Sequence, residues 1–305
     1  MKKSAGIISF ILVCVLMISC SGGEAAAKGK VKLPTDLPTK VVLKYAVNAP
    51  GTLEFRGDDA VIDYSNTADG YVMVQYSGKS SGPVKAQVKG PESTYTYTIQ
   101  PDVWAAFPLS EGDGEYQFNV LESVGGTKYA VILSGTADVT IRDVFAPFLM
   151  PNQYVNYPEA PLSMAVAKKL TESEKDTLGC VKAIYEFITG YLTYDKEKAM
   201  TVSAGYLPDM DAALNAKKGI CFDYASLMTG MLRSLDIPCK LVVGYAGDAY
   251  HAWISVWVDG EGWIDKVIYF GGKTWQRMDP TFASAGKGNN EFIGNGDNYL
   301  AKYFY

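Results

Sequence analysis

A single histidine, His251, stands among 305 residues, and cysteine occurs only five times. Any step that needs an imidazole therefore has one candidate. The formal net charge is −5. That leaves no basic footprint for gripping a phosphate backbone, so nucleic acid is not an expected partner. The apolar run near the start, from about Ile7 to Ile18, falls short of the roughly 20 residues a membrane-spanning helix needs. Gly294-Asn295-Gly296-Asp297-Asn298 lacks the ligand spacing and terminal Glu of a calcium loop. No metal and no cofactor is expected.

What is present begins with Lys2, Lys3 and that short apolar run, the form of a signal-peptide core. It ends in Met17-Ile18-Ser19-Cys20. This resembles the bacterial lipobox, with Met17 standing where Leu is commonest; the resemblance implies diacylation of Cys20. A plain secretory signal with an incidental Cys20 is the alternative. Residues 1–20 are thus expected as a lipoprotein signal peptide and 21–40 as a flexible tether. The expected place is the outer face of a bacterial cell membrane, held by two acyl chains. Cys14 would leave with the signal. Cys180, Cys221 and Cys239 then remain, an odd number, so one thiol must stay free or pair between molecules.

Residues 41–146 read as a β-sandwich of the immunoglobulin-like kind. Short runs such as Val41–Tyr45, Tyr71–Tyr76, Val84–Val88, Tyr95–Ile99, Tyr116–Val120 and Val139–Ile141 alternate with turn residues, at roughly 8–12-residue intervals. Nothing in this stretch suggests a metal cluster, a phosphate loop or a nucleophile motif. It reads as a pedestal, or as a module that binds wall polymer or protein. Pro147, Pro151 and Pro158 mark a boundary, and residues 147–305 form the second expected domain.

Helical periodicity follows. Cys180, Val181, Ile184, Phe187, Ile188, Tyr191 and Leu192 form one apolar stripe. Cys180 lies on it as a small hydrophobe. Asp195 to Asp209 reads as a loop, and a short helix runs to Lys217. A second stripe then joins Cys221, Tyr224, Ala225, Met228, Met231, Leu232 and Leu235. Gly219 lets the chain turn just ahead of it, so Cys221 opens a helix. Helix-terminal N–H groups and the helix dipole favour a thiolate there. They can also hold the oxyanion of a tetrahedral intermediate. Taken alone, Cys221 reads rather as the last core residue of its helix.

His251 begins a strand after the turn Gly247-Asp248-Ala249, sharing one face with Trp253, Ser255 and Trp257. A base at a strand mouth can serve a nucleophile at a neighbouring helix tip. Asp279 ends another strand before Pro280. It reads either as a carboxylate that orients His251 or as a turn-initiating Asp-Pro.

Lys218-Gly219-Ile220-Cys221-Phe222-Asp223-Tyr224-Ala225, then His251-Ala252-Trp253, then Met278-Asp279-Pro280-Thr281 resemble, in that order, three signature blocks of the transglutaminase-like superfamily. Ile237 to Tyr245 is similar to its strand after the nucleophile helix. The resemblance covers about Leu178 to Ala285, and the whole chain looks like surface lipoproteins of Clostridia-like bacteria. It implies an α+β, papain-like fold behind the sandwich. It also implies Cys221 as nucleophile, His251 as general acid and base, and Asp279 as the orienting carboxylate. The implied activity is thioester formation from an amide of a protein or peptide, including cell-wall peptides, followed by hydrolysis or transamidation. The rival reading is a surface-binding or scaffold lipoprotein with an inert domain of this type. Asn215 is the one side chain suggested as a second oxyanion donor, beside its simpler role at a helix end.

Overall fold

The computed structural model describes residues 31–265 and 299–305. Cys20, Asp279 and the block around Asp279 lie outside the described residues.

Eight strands come first. β1 (Glu54–Arg56), β2 (Ala60–Asp63), β3 (Tyr71–Tyr76), β4 (Val84–Lys89), β5 (Thr94–Ile99), β6 (Ala105–Pro108), β7 (Gly114–Gly125) and β8 (Lys128–Val139) form two antiparallel sheets, ordered β1-β2-β3-β6 and β5-β4-β7-β8. In β4, Val84, Ala86 and Val88 are buried while Lys85, Gln87 and Lys89 are not, the period of two that the pleat imposes. Ala86 pairs with Tyr97 on one side and Val120 on the other, a small residue between two larger ones. Ile62, Val72 and Val74 of the first sheet share one apolar core with Val88, Tyr97 and Phe118 of the second.

Val41–Tyr45, expected as the opening strand, lies outside the regular strands. Its polar groups turn elsewhere: Lys44 Nζ lies 2.5 Å from a carboxylate oxygen of Asp236, and the Tyr45 hydroxyl donates to the same side chain.

The second half contains α1 (Pro161–Leu170), α2 (Thr177–Tyr191), β9 (Thr193–Tyr194), α3 (Lys196–Thr201), α4 (Met210–Ala216), β10 (Lys218–Gly219), α5 (Cys221–Arg233), β11 (Cys239–Ala246), β12 (Ala249–Val258), β13 (Gly262–Ile264) and β14 (Tyr299–Phe304). β13-β12-β11-β14 is an antiparallel sheet, and β9 and β10 form a short parallel pair. The expected loop after Asp195 holds α3 instead. Asp195 caps it, accepting from the Lys198 N–H at 3.0 Å. No helix among the described residues is long and apolar enough to cross a membrane.

α5 packs across β11 and β12 and is backed by α1 and α2. Its buried face carries Tyr224, Ala225, Met228, Met231 and Leu232, each large apolar side chain contributing about 1.5–3 kcal/mol. The two halves share a seam of rings. Tyr305 packs against Tyr97 and Tyr154 with centroids 5.7 and 4.9 Å apart, and Tyr95 meets Tyr303 at 5.4 Å. Gly244 on β11 sits at a register shift against β14. A Cβ there would lie 2.1 Å from the Leu300 carbonyl oxygen, so no larger residue fits.

Arg233 closes α5. It is 1% exposed and donates to three main-chain carbonyls: Cys239 at 2.9 Å, Met150 at 2.8 Å and Tyr305 at 2.6 Å. Burial lowers its pKa to about 10, so it remains charged at neutral pH. Arg233→Met should cost about 3 kcal/mol or more, because three buried carbonyls lose their donor at once; urea unfolding measures it.

Burial raises the pKa of several phenols, Tyr154 to about 12 and Tyr97 and Tyr305 well above their ordinary value. A raised folded-state pKa stabilises below the unfolded value of about 10 and loses that contribution as pH climbs toward the folded value. Arg233 acts in the opposite sense over the same window, one group against several. Unfolding should therefore set in as pH rises above about 10, with tyrosinate absorbance appearing cooperatively in a pH titration. A gradual, non-cooperative rise beginning at that pH would contradict it.

Candidate active site

Cys221 is the first residue of α5, half-buried and a free thiol. Ile220 ahead of it is extended (φ −91°, ψ 174°), and its backbone N–H donates to Asp223 Oδ2 at 2.8 Å. The carboxylate thus folds back under the helix start. Other first-turn N–H groups have no acceptor within the helix. Gly219 makes the turn possible: a Cβ there would sit 2.7 Å from Asp223 Cβ and 3.0 Å from Oδ2.

The other two described cysteines are poor nucleophiles. Cys239 is fully buried, and burial pushes its thiol up to about 12; its sulfur lies 3.7 Å from Thr229 Oγ1. Cys180 is pushed up first by burial and then by Glu174 and Asp176.

His251 lies near the start of β12, opposite Gly244, and is 6% exposed. Its ring stacks with Trp253 at 6.2 Å and meets Tyr299 edge-on at 6.3 Å. The neighbours Ala252, Ile254 and Val256 belong to the core that holds Tyr224 and Met228 of α5. Alternation therefore sets Tyr250 and Ala252 toward α5, and His251 with Trp253 toward the other face. The Tyr250 phenol is raised chiefly by burial, with smaller effects from Tyr303, Tyr154, Tyr245 and Cys221.

The structure brings the helix of Cys221 and the strand of His251 together. Asp279 lies outside the described residues. Asn215 is exposed in the last turn of α4. Trp253 is buried, whereas Trp257 is half-buried, packs on Phe145 at 4.8 Å and donates to Asp259 at 3.1 Å. A cavity of about 300 Å³ lined by Lys44, Tyr45, Phe145, Asp236 and Trp257 includes neither Cys221 nor His251. Among the described residues no group of His, Cys, Asp and Glu side chains could hold a metal.

Residues 164–266 match the family model described as Transglutaminase-like superfamily. This segment is a transglutaminase-like domain. The uncharacterized protein YebA of Bacillus subtilis (strain 168) is 22% identical over 204 residues, covering 60% of this chain and 28% of that protein. The chain thus spans under a third of the length of this relative. Among solved structures, a candidate cysteine protease from Cytophaga hutchinsonii is 13% identical, with 83% of this chain and 84% of that one covered and a TM-score of 0.39. Red sea bream transglutaminase is 14% identical, with 69% and 48% covered and a TM-score of 0.29.

Within the transglutaminase-like domain, three residues beside Cys221 were not singled out from sequence. Asp223 is 2% exposed and accepts from Tyr206 at 2.5 Å and Lys198 at 2.8 Å. An acid in a helix's first turn was a visible signal. Lys198 and Tyr206 gave none, because they fall in the stretch that reads as a loop. Gly219→Ala should displace Asp223 and destabilise the domain by about 1–3 kcal/mol, read as a lower urea midpoint; an unchanged midpoint would show that the turn has room.

Proposed function

We propose that this chain is an exported, lipid-anchored cysteine acyl-transfer enzyme. Cys221 attacks the carbonyl carbon of an amide in a protein or peptide, including cell-wall peptides. His251 takes the thiol proton and passes it to the departing amine, and Asp279 orients the imidazole. The C–N bond breaks, a thioester forms on Cys221, and water or a second amine takes the acyl group. First-turn N–H groups of α5 hold the oxyanion. Cys20 carries the anchor. Residues 41–146, an immunoglobulin-like sandwich, act as pedestal to a papain-like domain over residues 147–305.

The observation that carries this reading is the seating of α5. Cys221 opens it, and it lies across the strand that bears the sole histidine. The reading requires the two side chains to meet at the start of β12, where His251 lies. One observation favours the inert-scaffold alternative: His251 stacks with Trp253 and Tyr299 rather than joining the face of Ala252.

Two measurements decide between them. Iodoacetamide should label Cys221 ahead of Cys180 and Cys239, and His251→Ala should move the pH midpoint of that labelling. Mass spectrometry of surface proteins and peptidoglycan peptides should show bonds cut or formed by wild type, and Cys221→Ala should lower that activity by roughly 10³-fold or more. Equal products from both proteins, or an unreactive Cys221, would leave the scaffold reading.

A further inference from the structure

The segment from Thr193 to Tyr206 is fastened to the start of α5 in two layers. The first is main chain. The Thr193 N–H donates to the Lys217 carbonyl at 3.0 Å and the Asp195 N–H to the Gly219 carbonyl at 2.9 Å. Lys218 Nζ adds an ion pair to Asp195 at 3.0 Å.

The second layer is a triangle of side chains. Lys198 Nζ donates to Asp223 Oδ2 at 2.8 Å and to the Tyr206 hydroxyl at 2.6 Å, and that hydroxyl donates to Asp223 Oδ1 at 2.5 Å. Burial first, then the Asp223 hydrogen bond, raises the Tyr206 phenol, which therefore stays protonated and able to donate. With the Ile220 N–H on Oδ2 as well, the carboxylate has three donors from three parts of the chain. A buried, charged network satisfied in this way holds its members in one arrangement. Its acceptor is two residues from Cys221.

We propose that Asp223, Lys198 and Tyr206 are positioning residues for the nucleophile: their hydrogen-bonded triangle fixes the first turn of α5 and sets the charge around the Cys221 sulfur. This inference rests on the reading of Cys221 as the nucleophile. The carboxylate alone would oppose a thiolate so close by. Lys198 offsets it, and the Tyr206 hydroxyl spreads its charge. Among the described residues, the other titratable groups on the elements packed around the start of α5 include Tyr250 and His251 on β12, Tyr154 against Phe222, and the Asp195–Lys218 pair at β10. None of the variants below alters these.

The test is the rate at which iodoacetamide alkylates Cys221 in the full chain, followed across a pH series by peptide mass spectrometry. Lys198→Met removes a cation and should raise the pH midpoint by about half a unit or more; Asp223→Asn removes an anion and should lower it. Tyr206→Phe should raise it by less than Lys198→Met does. Circular dichroism confirms that each variant is folded; if Asp223→Asn is not, the other two carry the test. Midpoints unchanged in Lys198→Met and Tyr206→Phe, with Cys221 reactive in wild type, would reduce the triangle to scaffolding and overturn the proposal alone. A wild-type Cys221 that reacts no faster than Cys180 would remove the nucleophile reading and this inference together.

Discussion

α5 is pinned at both ends by a buried charge, and the rest of the second half is arranged around that fact. At its start the Asp223 carboxylate gathers Ile220, Lys198 and Tyr206. At its end the Arg233 guanidinium gathers the carbonyls of Cys239, Met150 and Tyr305. Neither charge meets the other. Each is compensated by groups that no hydrophobic pattern would bring together, and removing either partner set leaves a desolvated charge or orphaned carbonyls. Between the two lies an ordinary apolar helix face. The helix cannot slide or rotate on β11 and β12 without breaking one of the two anchors, so the position of its first residue is fixed.

Much of this was legible from residue pattern. The stripe through Tyr224, Ala225, Met228, Met231 and Leu232 appears as the buried face of α5, and Cys221 stands at its head. The alternation in β4, β5 and β7 marked strands that do pair. β1 and β6 were missed because three or four residues, one run ending in Arg56 and the other in Pro108, give too short a signal. Val41–Tyr45 has a strand's composition, but Lys44 and Tyr45 spend their polar groups on Asp236, 192 and 191 residues away. α3 escaped notice for a related reason. Six residues, with only Ala199 and Met200 apolar, show no stripe, and their helix is set by the Asp195 cap and by the Lys198 contact with Asp223 of α5.

The candidate site divides the same way. Cys221 and His251 announced themselves by residue type and local pattern, since helix starts and strand mouths are local events. The triangle beside Cys221 is not local: Lys198 and Tyr206 are 25 and 17 residues from Asp223. The aromatic seam is less local still. Tyr95 and Tyr97 lie in the first half, Tyr303 and Tyr305 at the last strand, and Tyr154 between them. Reading the sheets as a pedestal alone understates this contact, because their tyrosines share the core that supports α5.

The strap formed by Lys44 and Tyr45 on Asp236 bears on mechanics. Asp236 has a left-handed backbone (φ 65°) in the turn between α5 and β11, so tension drawn along the residues ahead of Lys44 arrives at the Arg233 end of the thirteen-residue helix, the end opposite Cys221. The Lys44–Asp236 pair is exposed and yields before a buried guanidinium with three acceptors does. A pull on the residues ahead of Lys44 would therefore peel this strap away first, like a fuse, and spare the geometry around the sulfur.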